Sequence, residues 1–412
     1  MARNRVNQGG KRGNPEAAAG PGRRAGPGPA ARRYGWYDPR SLGWEGYLLA
    51  AVPVAIAASL LGASPVTRFV AAGVAIIPLA GLMGRATEQL AHRLGSGIGG
   101  LLNATFGNAA ELILALFALR RGLDDVVKAS LTGSIIGNLL LVLGASLLAG
   151  GLKFPIQQFN KTAAGIGSTL MVLATVGMIV PALFHHLAPG AVGLGHRVSV
   201  AVSVLLMITY GLNLVFSLVT HRDVISGVRD DVAPGDGEAT WGLRHATGAL
   251  IGATVFVAWM SEILVGAVEA TSASLGLNAV FMGVIVVAIV GNAAEHSTAI
   301  LMAMKNQMDL AVGIALGSAL QVALFVAPAL VFASYLRDTP MDLVFSTLEV
   351  IAVILAVLIA RMVAEDGEST WLEGAMLLMV YAILAVAFFF LPEGRGHAGP
   401  APASATSGAN GG

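Results

Sequence analysis

Gly107-Asn-Ala-Ala-Glu111 returns, residue for residue, as Gly291-Asn-Ala-Ala-Glu295, and each copy lies inside a strongly apolar stretch. A carboxylate near the middle of a bilayer costs roughly 2.5–3.5 kcal/mol on insertion scales, so an acid kept there marks a functional position. The copies are 184 residues apart, and the same offset pairs Ala104 with Ala288, Ala115 with Ala299, Asp125 with Asp309, Gly133 with Gly317 and Ser134 with Ser318 without a gap. A register held over that length reads as an internal duplication covering at least two helices in each half.

Composition places the duplication in a membrane. The 412 residues are 55% hydrophobic and 12% charged, with a mean hydropathy of +0.74, whereas a soluble domain carries about 25% charged residues. A spanning helix needs about 20 mostly apolar residues. Eleven stretches qualify: 44–62, 66–84, 99–120, 126–149, 162–184, 197–220, 245–268, 277–303, 308–335, 342–362 and 371–391. The expected fold class is an all-α polytopic membrane protein with eleven transmembrane helices. Setting the first helix aside leaves two sets of five, divided at a polar stretch. An odd number of spans per repeat sends the second copy in from the opposite face, the inverted-repeat plan of many secondary transporters. The expected organisation is a basic N-terminal tail over 1–43, a first helix over 44–64, a first repeat over 65–220, a cytoplasmic linker over 221–243, a second repeat over 244–391 and a C-terminal tail over 392–412.

The N-terminal tail is rich in Gly, Pro and Ala and carries Arg3, Arg5, Lys11, Arg12, Arg23, Arg24, Arg32, Arg33 and Arg40. Such a segment cannot bury a core, and disorder is expected for both tails. By the positive-inside rule the basic tail sets the N-terminus in the cytoplasm. The Ala/Gly/Arg-rich composition points to a bacterial inner membrane. The chain has no cysteine, which excludes disulfides and thiolate metal sites. No cofactor and no nucleic-acid partner are expected. Asp124 and Asp125, Asp309 and Asp342 precede apolar runs and are expected to cap helix N-termini.

The motif chemistry follows from residue types. Gly107 and Gly291 each stand one helical turn before a glutamate, where glycine lets a helix open or approach a neighbour closely. Freed carbonyls near 103–106, including that of Asn103, and near 287–290 are then expected to face an ion. Asn108 and Asn292 add amide oxygens to Glu111 and Glu295. Hard divalent cations such as Ca²⁺ take about six to eight oxygen ligands, so this inventory fits calcium better than zinc or copper. A second polar set follows in the next helix of each half: Ser134 and Asn138, then Ser318 and Gln321. These residues either line the site or bond between helices. Two ionised glutamates balance one divalent cation, and protons on the same oxygens replace it. His296, beside Glu295, is a candidate proton relay. Glu262, Glu269 and Glu88 are candidates for an entrance or gate, Glu262 as the more buried of the first two. Residues 85–98 read as an amphipathic extension of the second span.

Leu102-Asn-Ala-Thr-Phe-Gly-Asn-Ala-Ala-Glu-Leu-Ile, Gly133-Ser-Ile-Ile-Gly-Asn, Val290-Gly-Asn-Ala-Ala-Glu-His-Ser-Thr-Ala and Gly317-Ser-Ala-Leu-Gln resemble the two signature repeats of the calcium/proton exchangers, within the calcium/cation antiporter superfamily. The resemblance covers nearly all of 44–391. It implies a fold of one helix plus two inverted sets of five, and it implies that Glu111 and Glu295 bind metal and exchange protons. Ca²⁺ and H⁺ would be the transported partners, within a lipid bilayer. Family members often carry a strongly acidic stretch between the halves. Here that loop has only Asp223, Asp230, Asp231, Asp236 and Glu238, interleaved with Arg222 and Arg229. Sodium/calcium exchangers of the superfamily typically have a Gly-Thr-Ser-x-Pro-Glu motif in the second half, and Gly-Asn-Ala-Ala-Glu in its place favours protons as the counter-ion. Exchange of Mn²⁺, Na⁺ or K⁺ for H⁺ is the alternative within the class, and a cation channel is the alternative outside it. An intramembrane metallohydrolase would need a second histidine at His-Glu-x-x-His spacing, which His296 lacks.

Overall fold

The computed structural model describes residues 47–94, 101–102, 105–188, 190–221 and 241–392. The expectations for the two tails, for most of the 221–243 linker and for Asn103 lie outside the described residues. We distinguish eleven helices: α1 (Ala51–Leu60), α2 (Pro65–Leu94), α3 (Ala109–Arg120), α4 (Asp124–Gly151), α5 (Lys161–Leu187), α6 (Gly193–Thr220), α7 (Leu243–Leu275), α8 (Ala279–Ala303), α9 (Met308–Ser334), α10 (Thr347–Val363) and α11 (Trp371–Phe389). Among the described residues, eight of them are long and apolar enough to cross a membrane. α1, α3 and α10 are shorter, at 10, 12 and 17 residues. The eleven expected stretches therefore all carry helix, while eight reach full spanning length. A two-stranded antiparallel ribbon joins β1 (Gln157–Gln158) to β2 (Glu368–Ser369), with Gln157 opposite Ser369.

Related helices pack beside one another. α2 lies along α7, α3 touches α8, α4 touches α9 and α5 lies along α10, and each pair is related by the sequence offset of the motifs. α4 and α8 approach so closely that a Cβ on Gly133 would stand 2.0 Å from the Val284 carbonyl oxygen. Only glycine permits that crossing, as at other small-residue helix contacts in membranes. Among the described residues, four segments widen to π-helical turns, at Gly137–Val142, Phe216–Thr220, Met282–Val287 and Val322–Val326. The first and last of these begin within one residue of equivalent places in α4 and α9, three residues after Ser134 and four after Ser318. Such widened turns recur at functional places in helices.

The aspartates do not cap as expected. Asp124, Asp125 and Asp309 sit inside the first turn of their helices, where an acid meets the positive end of the macrodipole, and the cap positions fall on Leu123 and Gln307 without side-chain bonds. Tertiary cations and amides take the carboxylates instead. Arg337 binds both oxygens of Asp124 at 2.9 Å, Lys128 pairs with Asp342, and Asp309 accepts the Asn160 backbone N–H. The cap of α10 is Ser346, in a capping box with Glu349. α2 continues to Leu94 as expected of the amphipathic extension.

Candidate functional site

The first motif sits at a break. Residues 107–108 form a turn, and α3 starts at Ala109, so Glu111 stands in its first turn. The second motif lies within α8, which runs unbroken from Ala288 through Ala303. The carbonyls at 287–290 stay in helical turns, contrary to the expectation that they are freed. Glu111 folds its side chain onto the helix of the other copy: a Cβ on Gly291 would lie 3.3 Å from Glu111 Cγ. Glu295 is one turn further along that helix, and the two carboxyl groups are close enough for their charges to interact.

Both glutamates line one cavity of about 500 Å³. Gly107, Gly291, Ser318 and Gln321 also line it, as does Glu88 toward its exposed mouth. The sequence did not assign Arg85, Thr298 or Asp309 to the site, and all three share this lining. A signal was present: Asp309, Gly313, Gly317 and Gln321 recur every four residues along α9 and form a single wall of the cavity. Glu262 and Glu269 are exposed on α7 and are absent from the lining, so Glu262 is not the buried candidate it was expected to be. His296 also points away from the cavity, with its Nε2 buried and unpartnered.

Behind the cavity the polar residues of both motifs form one network. Asn108 Nδ2 donates to Gln321 Oε1. Ser318 Oγ donates to Asn108 Oδ1 at 2.9 Å. Asn138 Nδ2 donates to Ser318 Oγ at 2.9 Å and to Asn292 Oδ1 at 3.2 Å. Asn292 Nδ2 donates to Ser134 Oγ at 2.9 Å and to the Ala288 carbonyl. Asn108, Ser134, Asn138, Asn292 and Ser318 are all buried. Each motif asparagine therefore bonds the serine of the other half. That reciprocity, in which i meets j′ and j meets i′, is the mark of a two-fold relation between the halves. Each such bond contributes about 0.5–1.5 kcal/mol net, and leaving one partner buried alone costs about 1–3 kcal/mol.

At the opposite end of the bundle lies a feature not foreseen. Lys128 and Glu349 are both buried, and Lys128, Asp342 and Glu349 gather there. Glu349 accepts the Ser346 backbone N–H at 2.8 Å, while its Oε1 has no partner. Among the described residues, no group of three or more His, Cys, Asp or Glu side chains could hold a metal ion. Oxygen donors beyond the two glutamates would have to be amides, hydroxyls, carbonyls or water.

The class of the protein, an ion transporter, follows from its relatives. The sequence matches the sodium/calcium exchanger protein family over residues 64–219 and 245–390. The chain belongs to that family, within its calcium/proton exchanger branch. It is 48% identical over 359 residues to the Ca²⁺/H⁺ antiporter of Synechocystis sp., covering 84% of this chain and 96% of the relative. It is 46% identical over 347 residues to the Ca²⁺/H⁺ antiporter ChaA of Bacillus subtilis, covering 83% and 97%. The solved structure of native YfkE superposes with a TM-score of 0.73 at 43% identity, covering 84% of this chain and all of that one.

Proposed function

We propose that this protein is a secondary antiporter that expels Ca²⁺ from the cytoplasm against inward-moving H⁺, with Glu111 and Glu295 holding metal or protons in turn. One observation carries the reading: the acids of both repeat copies line a single cavity, with the side chain of Glu111 lying over Gly291. Two ionised carboxylates balance one divalent cation. When the cation leaves, proton uptake on the same oxygens relieves their repulsion in a poorly solvated place. The site is near neutral when loaded with either ion, and crossing between access states is disfavoured only when it is empty and charged. That exclusion is sufficient for coupled exchange by alternating access. The names of the related antiporters support the same pair of ions.

Ser318 and Gln321 supply further oxygens at the cavity wall. Asn108 and Asn292, with Ser134 and Asn138 behind them, fix the two motif segments relative to each other, and their amide oxygens keep a lone pair for the metal. Gly107 and Gly291 allow the close approach. The cavity mouth lies at the end of the bundle that carries Arg85, Arg93, Lys153, Lys161, Lys305 and Arg361, which the positive-inside rule assigns to the cytoplasm. Glu88 and Asp309 receive the incoming cation there. A bacterial inner membrane with a cytoplasmic N-terminus fits this arrangement.

The test is proton-driven uptake of radioactive calcium into inside-out vesicles, for the native protein and for Glu295→Gln. Uptake falling to background in the variant is expected, with calcium affinity of the native protein weakening as the medium is acidified. Uptake unchanged in the variant would remove Glu295 from the mechanism. Competition by Mn²⁺, Na⁺ or K⁺ at concentrations similar to calcium would broaden the substrate. Calcium flux that persists without a proton gradient or counter-ion would turn the reading to a channel.

A further inference from the structure

A groove of about 650 Å³ runs between α5 and α10 at the mouth end of the bundle, outside the ion cavity. Its polar end carries Lys161 and Thr162 from α5, and Arg361 from α10 with Glu365 just beyond it. All four are exposed, and they leave a net positive charge of one if ionised. The backbone segments that carry the two cations are tied together. The ribbon of β1 and β2 ties the segment before α5 to the segment after α10, Phe159 N–H donates to the Gly367 carbonyl at 2.9 Å, and Gly367 packs directly on the Lys161 side chain.

The floor of the groove is Gly165, where an added Cβ would meet nothing within 4 Å. Further along the same two helices the exposed side chains become apolar, with Leu173 and Val176 on α5 and Leu355 and Leu358 on α10. A basic groove end followed by exposed apolar side chains on the same two packed helices has the polarity of a single phospholipid. Basic pockets between membrane helices on the cytoplasmic side hold anionic headgroups. We infer that this groove is a binding site for one anionic phospholipid, its phosphate between Lys161 and Arg361 and an acyl chain lying over Gly165 toward Leu173.

The test uses the full chain purified in detergent, with phosphatidylglycerol or phosphatidylcholine added and retained lipid counted by native mass spectrometry. The native protein is expected to retain phosphatidylglycerol in preference to phosphatidylcholine. Retention is expected to fall about thirtyfold in the double variant Lys161→Gln/Arg361→Gln, on the scale of two lost surface cations at about 1 kcal/mol each. Gly165→Leu keeps both charges but fills the floor, and it is expected to lose the lipid as well. Equal retention in all three proteins, or equal retention of the two lipids, would overturn the site. Loss in the double variant with full retention in Gly165→Leu would overturn the acyl-chain track. Self-association through this face, abolished by Gly165→Leu and indifferent to lipid, would overturn it in favour of a second copy of the chain. Thermal unfolding of each variant without added lipid, matching the native protein, separates these outcomes from misfolding.

Discussion

In the first half of the chain, Gly107 and Asn108 form a turn and the helix restarts at Ala109; in the second half, Gly291 and Asn292 lie within a continuous helix. The five residues are identical, so the difference comes from what surrounds them. In the first copy, the Asn108 amide reaches across to Gln321. In the second copy, the Asn292 amide donates to the Ala288 carbonyl of its own helix, as well as to Ser134. One asparagine thus binds only away from its own segment, and the other also bonds within its helix. The broken copy brings its acid to a helix start, and the unbroken copy supplies the flat glycine surface on which that acid rests.

The largest effect is expected at the acids. Glu111→Gln and Glu295→Gln should each reduce vesicle exchange to background while insertion and yield stay near native. Normal exchange in one of them alone would show that the two copies do not share the work. Next come equivalent glycines in unequal surroundings. Gly133 faces the Val284 backbone, whereas a Cβ on Gly317 would meet nothing within 4 Å. Gly133→Ala should destabilise the protein by about 1–3 kcal/mol through overpacking, and Gly317→Ala should leave thermal unfolding unchanged. Equal unfolding temperatures for the two would contradict the close α4–α8 crossing.

Asn292→Ala should cost more stability than Asn108→Ala, by about 1 kcal/mol, because it breaks the helix back-bond as well as the cross-half bonds. Scanning fluorimetry of the two variants in detergent checks the order, and a reversed order would break the contrast drawn between the asparagines. Gly291→Ala should lower apparent calcium affinity a few-fold, since the new methyl group requires Glu111 to move only slightly. Unchanged affinity would mean that Glu111 need not rest on that surface. The smallest effect is expected for His296→Gln. Its ring lies outside the cavity, so the pH profile of exchange should match the native profile, and a displaced profile would restore the histidine to proton coupling.

The pairing of Glu111 with Glu295 was legible because the offset between the motifs is a property of the sequence itself. The polar set Ser134, Asn138, Ser318 and Gln321 was legible for the same reason, although its partners were not. Which of two identical pentapeptides breaks its helix could not be read from them, since the bonds that differ go to Gln321 in one copy and to the Ala288 carbonyl in the other. The acids at helix starts illustrate a related limit. Local propensity placed Asp124 and Asp309 correctly near N-termini, but Arg337 and the Asn160 amide, far away in sequence, took their carboxylates. Asp309 and its glycine stripe were visible as a four-residue period, yet glycine at that spacing reads equally as a close helix contact. The burial of Glu349 and Lys128 carries no local mark, because it depends on two segments that meet only in the folded bundle.

The crossed bonds between asparagines and serines also bear on how the chain is made. When the first half has entered the bilayer, Asn108, Ser134 and Asn138 already lie in it, but Asn292, Ser318 and Gln321 have not been synthesised. For that interval the nascent half holds buried polar groups whose intended partners do not exist, and it must shelter them in water, in provisional contacts or against insertion factors. Completion of α8 and α9 closes both sets of bonds together. Either half alone therefore lacks the partners that these side chains have in the whole chain.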